Sequence, residues 1–299
     1  MERTTEARNS HTMHIDTMST ASILATINQQ DQAVPLAIGQ PAVLSAIGAF
    51  VDVVVTRFKR GGRLFYIGAG TSGRLGILDA AECVPTFGID PEMVQGLIAG
   101  GPGAMITAVE GAEDSQTGGA ADLQAHHLTA DDVVLGIAAS GTTPYVIGGL
   151  DYARSVGAAT GAFSCNQEAL ISQHADITIE VVVGPEVVTG STRMKAGTAQ
   201  KLVLNMISTA AMIKLGKVYG NLMVDVKPTN LKLVDRAQRI IQAATGVDRE
   251  TAAHYFETAD RRPKVAIVMI LGKVAKAQAE AALASHEGFI ADAVAALTK

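Results

Sequence analysis

Two short segments carry more hydroxyls and glycines than a simple turn needs. The first is Gly68-Ala69-Gly70-Thr71-Ser72-Gly73, which follows an apolar run and opens a helix-like stretch. The second is Ala138-Ala139-Ser140-Gly141-Thr142-Thr143-Pro144, at another strand-to-helix junction. A helix N-terminus presents unpaired amides and the positive end of the helix dipole, so hydroxyls beside it form a compact anion site. For a single serine, helix capping is the simpler use. Two such loops on one sheet edge favour a bound phosphate instead, with Gly70, Thr71, Ser72, Ser140, Gly141, Thr142 and Thr143 as contact residues. The first loop also fits GxGxxG, but a dinucleotide site needs an acidic residue at the end of the second strand. That strand ends Ile98-Ala99-Gly100-Gly101, so no NAD site is expected. Neither loop has the lysine of a nucleoside-triphosphate loop, which leaves a sugar phosphate as the better fit. A third segment, Thr189 to Lys195, adds Ser191, Thr192, Arg193 and Lys195 just before a long helix. These groups suit a phosphate or a carboxylate, the guanidinium bidentately and the ammonium as a point charge.

Positioning these loops requires a parallel sheet. Apolar runs at 63–68, 94–99, 132–138, 158–163 and 177–183 read as five strands. Helical signals fall near 73–84, 103–110, 115–127, 144–156 and 167–173. The alternation predicts an α/β fold, a doubly wound five-stranded parallel sheet flanked by helices. Helices precede it near Ser19–Asn28 and after Pro41, and a long one follows from about Met194 to Gly216. Beyond Pro228 only helical pieces remain, broken at Gly246, Pro263 and Gly288. The expected organisation is an N-terminal helical segment (1–50), an α/β domain (51–220) and a small C-terminal helical subdomain (221–299).

Composition removes other classes. The net charge of −5 and the absence of a basic stripe argue against nucleic acid as a partner. No uninterrupted apolar run spans a bilayer and no signal peptide opens the chain, so no membrane partner is expected. Cys83 and Cys165 form no CxxC pair, consistent with a reduced, cytoplasmic protein. The seven histidines, with His126 and His127 adjacent, show no metal-ligand spacing, and no metal or other cofactor is expected.

At these residues the chain resembles the SIS phosphosugar-binding domain, whose Ser/Thr loops grip a hexose phosphate. The runs GAGTSGRLGILDAAECVPTFG (68–88), VEGAEDS (109–115) and EVVTGSTRMKAGTAQKLVLNMISTAAMIKLGKVYGNLMVDVKPTN (186–230), with TEARN (5–9), narrow the resemblance to N-acetylmuramic acid 6-phosphate etherases. That resemblance implies an SIS-type sheet and a metal-free lyase of cell-wall sugar recycling. Such an enzyme releases D-lactate and N-acetylglucosamine 6-phosphate by elimination and water addition. It also implies a homodimer, and a long apolar helix carrying Leu202, Val203, Met206 and Ile213 agrees with burial against a second subunit. The family's acid–base glutamate falls on Glu82, with Ile77, Leu78 and Val84 as apolar neighbours able to keep it protonated. Its second glutamate falls on Glu113, the candidate for C2 deprotonation. Glu110, three residues earlier, shares a face with it if the segment is helical, and is the alternative base or a residue that orients the sugar. Thr142 stands where the family commonly has Arg. Two other readings remain: an SIS aldose–ketose isomerase, and a non-catalytic sugar-phosphate sensor.

Overall fold

The computed structural model describes Arg3–Thr298. Three helices come first: α1 (Thr20–Asp31), α2 (Ala33–Ile38) and α3 (Pro41–Phe58). Then β1 (Leu64–Gly68) leads into α4 (Gly70–Phe87), β2 (Val94–Ile98), α5 (Gln116–Ala125) and β3 (Val133–Ile137). The sheet is completed through α6 (Pro144–Val156), β4 (Ala159–Ser164) and β5 (Ile177–Glu180), before the long α7 (Lys195–Lys214). All pairings are parallel, in the order β2-β1-β3-β4-β5. β1 is buried throughout because helices cover both of its faces. Phe65 and Ile67 point into the cluster with Leu123, Tyr145, Val146 and Leu150 of α5 and α6. Tyr66 meets α4 on the opposite face, where a side chain at Gly76 would overlap its Cβ at 2.8 Å. Helix α3 is long and apolar enough to cross a membrane by length and composition. Its Phe50, however, fills the space over Gly161 of β4, the packing of a core helix.

The five expected strands are all present, β5 ending at Glu180 rather than Val183. Two expected helices are not α-helical. Residues 103–110 contribute only a 3₁₀ turn, Pro102–Met105, because the Arg74 guanidinium takes the carbonyls of Ala104 (2.8 Å) and Met105 (2.9 Å) that a continuing helix would use. The stretch 167–173 wraps around a carboxylate instead: Glu180 accepts from the amides of Glu168 and Ala169 and from the Ser172 hydroxyl. Only a 3₁₀ turn, Leu170–His174, survives there.

The chain forms two compact units, one of residues up to Ala81 with Pro91–Ser208, the other of Glu82–Asp90 with Thr209 onward. The second unit contains α8 (Leu231–Thr245), α9 (Arg249–Thr258), α10 (Pro263–Gly272), α11 (Lys276–Ser285) and α12 (Ile290–Leu297). Its core centres on α10, with Val265, Ile267, Val268 and Met269 buried among Ile240, Ile241, Phe256, Leu283 and Ile290.

Candidate active site

Strand order fixes where a ligand belongs. From β1 the chain moves outward to β2, whereas from β3 it moves the other way to β4 and β5. The carboxyl ends of β1 and β3 therefore flank the switch point, where open α/β sheets bind ligands. Both hydroxyl-rich loops leave from those two ends.

In the first loop Gly70 adopts φ +52°, and α4 starts at once. The turn is tight because Gly68 and Gly73 touch: a Cβ on Gly73 would lie 2.7 Å from the Gly68 carbonyl and 2.6 Å from Ile98. Ser72 is buried, and its Oγ accepts from Gln200 Nε2 of α7 at 2.9 Å, leaving the hydroxyl proton to donate. Gln200 itself is 1% exposed, and its Oε1 has no partner among the described residues. Thr71 is half-buried beside Gly197, where a Cβ would come within 3.4 Å of its methyl. The first turns of α7 thus rest on this loop.

The second loop is held from outside. Gly141 has φ +76° and no room for a side chain against Ala169. The Asn166 amide donates to the carbonyls of Ala139 (3.3 Å) and Ser140 (3.1 Å). The same side chain binds the N-terminal segment, donating to Thr5 Oγ1 and accepting from Thr4 Oγ1. Ser140 and Thr142 are half-buried, with hydroxyls 3.2 Å apart, and line a cavity of about 370 Å³ with Arg3 and Thr4. Thr143 is half-buried and precedes α6 without capping it through its side chain.

Glu110 and Glu113 arrive by a different route from the expected helix. Gly100 and Gly101 both have positive φ, and Val109 closes over Gly100 so tightly that a Cβ there would overlap it at 2.7 Å. The loop folds back, Gly111 takes φ +72°, and a single 3₁₀ turn (Ala112–Asp114) carries Glu113. The two glutamates do not share an α-helical face, yet both line a cavity of about 220 Å³ with Gly70 and Arg74. Both are exposed.

The third segment is less open. Glu186 is fully buried, and its carboxylate accepts from the amides of Lys195 and Ala196, both at 2.9 Å. The anion at the α7 N-terminus is thus an internal one. Lys195 is 3% exposed; burial lowers the pKa of its ammonium, and the carboxylates of Glu186 and Asp31 oppose that shift. Ser191 and Thr192 are half-buried and Arg193 is exposed.

Glu82 lies in the second compact unit, about three turns along α4 from Gly70, and is exposed. Leu78, one turn before it, is 50% exposed, so these apolar neighbours do not enclose it within the single chain. Three residues before Glu82, Asp79 is buried and accepts from Tyr66, Asn205 and Ser208. Burial raises its carboxyl pKa, and those three donors oppose the shift. Asp79 joins α4, α7 and β1. Among the described residues no group of three His, Cys, Asp or Glu side chains is placed to hold a metal ion.

Residues 46–154 match the model of the glucokinase regulatory protein N-terminal SIS domain, and residues 111–210 that of the SIS domain. Over 291 residues the chain is 61% identical to the N-acetylmuramic acid 6-phosphate etherase of Oenococcus oeni, covering 97% of each chain. The chain belongs to the N-acetylmuramic acid 6-phosphate etherase family. It is equally similar to N-acetylmuramic acid 6-phosphate etherase 2 of Lactiplantibacillus plantarum, at 62% over 97% of this chain and 98% of that one. Among solved structures, a phosphoheptose isomerase from Francisella tularensis shares the fold: 18% identity and a TM-score of 0.50, over 66% of this chain and 100% of that one. The etherase match thus spans both compact units.

Several contacts around this etherase-family site carry no motif of their own. Arg74 is legible only as the residue after GTSG, and Asn166 and Gln200 give no signal at all. The N-terminal TEARN run is visible as a shared motif, but its use, tying Thr5 to Asn166 and Asn9 to Pro185, is not.

Proposed function

We propose that this protein is a carbon–oxygen lyase that cleaves the D-lactyl ether of N-acetylmuramic acid 6-phosphate, giving N-acetylglucosamine 6-phosphate and D-lactate. The observation that carries this reading is the etherase similarity at 61–62% identity, which runs through both glutamate motifs and both hydroxyl loops. The geometry supports a phosphate held at the switch point by the amides of the first loop with Thr71 and Ser72, and by the hydroxyls of Ser140 and Thr142 with the backbone of Gly141 and Thr143. Ser191, Thr192 and Arg193 are the proposed contacts of the third segment, with Lys195 supporting it from within.

In the ring-opened sugar the C2 proton is acidified by the C1 aldehyde, and the lactyl oxygen on C3 lies β to that carbonyl. Glu113 takes the C2 proton; the electron pair forms the C2–C3 double bond as the C3–O bond breaks. Glu82 gives its proton to the departing lactate oxygen. Water then adds to C3, losing a proton to the Glu82 carboxylate, while the proton on Glu113 returns to C2. Each proton transfer of this kind typically contributes about a hundred- to ten-thousand-fold. Glu110, in the same cavity as Glu113, orients the sugar or exchanges roles with it.

We further propose a cytoplasmic homodimer. Support comes from large apolar side chains left exposed, Leu78 on α4 and Met206 and Ile213 on α7, and from the two cysteines, which are buried and form no CxxC pair. Sedimentation of the purified protein tests the dimer. The deciding assay for the reaction couples N-acetylmuramic acid 6-phosphate to D-lactate detection. Stoichiometric D-lactate is the expected result, and a ketose phosphate without lactate points to an isomerase.

A further inference from the structure

The second compact unit holds a cavity of about 470 Å³ whose lining includes none of the glutamates or loop residues assigned to the ether cleavage. Val224, Val226 and Leu283 give it an apolar wall, and Lys217, Lys227 and Lys264 line it as well. One carboxylate, Asp225, serves two of these ammoniums: Lys217 Nζ lies 3.4 Å from its Oδ2, and Lys264 Nζ bonds the same oxygen. Lys227 Nζ donates to the Ile89 carbonyl at 2.9 Å, a neutral partner. The Lys264 and Asp225 side chains are only 12% and 18% exposed, so solvent screens this group weakly. The other acids of the wall are matched by cations: Asp260 by Lys276 and Arg262, and Glu280 by Arg262. Arg261, also in the wall, pairs with Glu257.

Two of the three lining ammoniums thus share one carboxylate, Asp225, and the third, Lys227, has a carbonyl as its partner. Burial lowers the pKa of the Lys264 ammonium; Asp225 opposes that shift and the positive charge of Lys217 adds to it. An anion entering the cavity relieves this repulsion, and a dianion matches the two charges in excess. Ammoniums serve phosphate well as point charges. The volume falls within the range of about 300–1,000 Å³ usual for small-molecule pockets, and the apolar wall suits the body of a ligand larger than the phosphate alone.

We propose that this cavity is a second anion site, formed by Lys217, Lys227 and Lys264, that binds a small phosphomonoester of about sugar size. The proposal does not depend on the etherase reading, because none of these lysines belongs to the switch-point loops.

Calorimetric titration of the full-length chain with N-acetylglucosamine 6-phosphate tests it, in a Ser140→Ala/Thr142→Val background that weakens the loop site. One equivalent per chain should still bind, and inorganic phosphate should displace it. Adding Lys227→Gln should weaken that binding about tenfold or more, as for loss of a bond to a charged group. Lys217→Gln should do the same, and the exposed Arg236→Gln should leave it unchanged. Thermal melts check that each variant is folded, and the two lysine variants are independent tests should one fail to fold. No binding in the loop background, no displacement by phosphate, no effect of a folded lysine variant, or an equal effect of Arg236→Gln would each overturn the proposal.

Discussion

The two edges of the sheet use polar groups in opposite ways. At the amino edge, Asp132 is 1% exposed and accepts from Arg63 Nη2 (2.8 Å), Arg63 Nε (3.1 Å), the Arg63 amide, and the amide and hydroxyl of Thr129. Arg63 also donates to the carbonyls of His126 and His127 and lies over the Phe65 ring. These donors are turned inward, and the edge acts as a clamp. At the carboxyl edge, Ser140 and Thr142 are half-buried, and Glu110 and Glu113 are exposed. Polar groups satisfied inside the protein add stability, while those left facing a cavity are available to a ligand at some cost to stability. The same sheet supplies both, at opposite ends of the same strands.

The largest effect expected at the carboxyl edge is on turnover. Glu113→Gln should lower D-lactate release about a hundredfold or more while the melting temperature holds, because this carboxylate is exposed. Glu82→Gln on α4 should act likewise; near-normal turnover in either folded variant removes that glutamate from the mechanism. At the amino edge the effect should fall on stability instead. Asp132→Ala leaves the Arg63 charge partly buried without its partner and should cost about 3–5 kcal/mol in chemical denaturation. The KM of the folded fraction should be unchanged; a shift in KM without loss of stability would erase the contrast between the edges.

A smaller effect is expected from Ser140→Ala with Thr142→Val. Losing hydroxyls that donate to a phosphate should raise KM by roughly ten- to a hundredfold, with kcat and denaturation midpoint little changed. The smallest effect is a pH dependence. Burial pushes the Asp132 carboxyl up, but bonds from Arg63 and Thr129 hold it below the usual carboxylate range. The stability it contributes is therefore fully present above about pH 4 and is lost as pH falls through the depressed folded value. The stability gap between wild type and Asp132→Ala should narrow in that acid window, and a gap that stays constant with pH argues against an ionised clamp.

Strands were legible because buried parallel strands leave continuous apolar runs such as Leu64–Ile67, and the glycine-hydroxyl loops stand at their ends. The failures have a common cause. Residues 103–110 and 167–173 carry helical composition, yet Arg74 and Glu180 claim their backbone groups from elsewhere in the chain. Lys195 reads as an exposed charge in sequence, whereas packing leaves it 3% exposed. Local composition does not reveal a partner brought by long-range packing.

The sequence by itself determined the parallel sheet, through continuous apolar runs, and the reaction family, through long shared motifs; it also marked Glu82, Glu113 and the two hydroxyl loops as candidates. Only the tertiary structure decided which strand ends are neighbours, that Gly100 and Gly101 turn the acidic loop back onto Gly70, and that Ser72 rests on Gln200 while Ser140 and Thr142 face a cavity. Those outcomes depend on close approach between segments distant in the chain, and glycine contacts and buried hydrogen bonds fix that approach only once the sheet has formed.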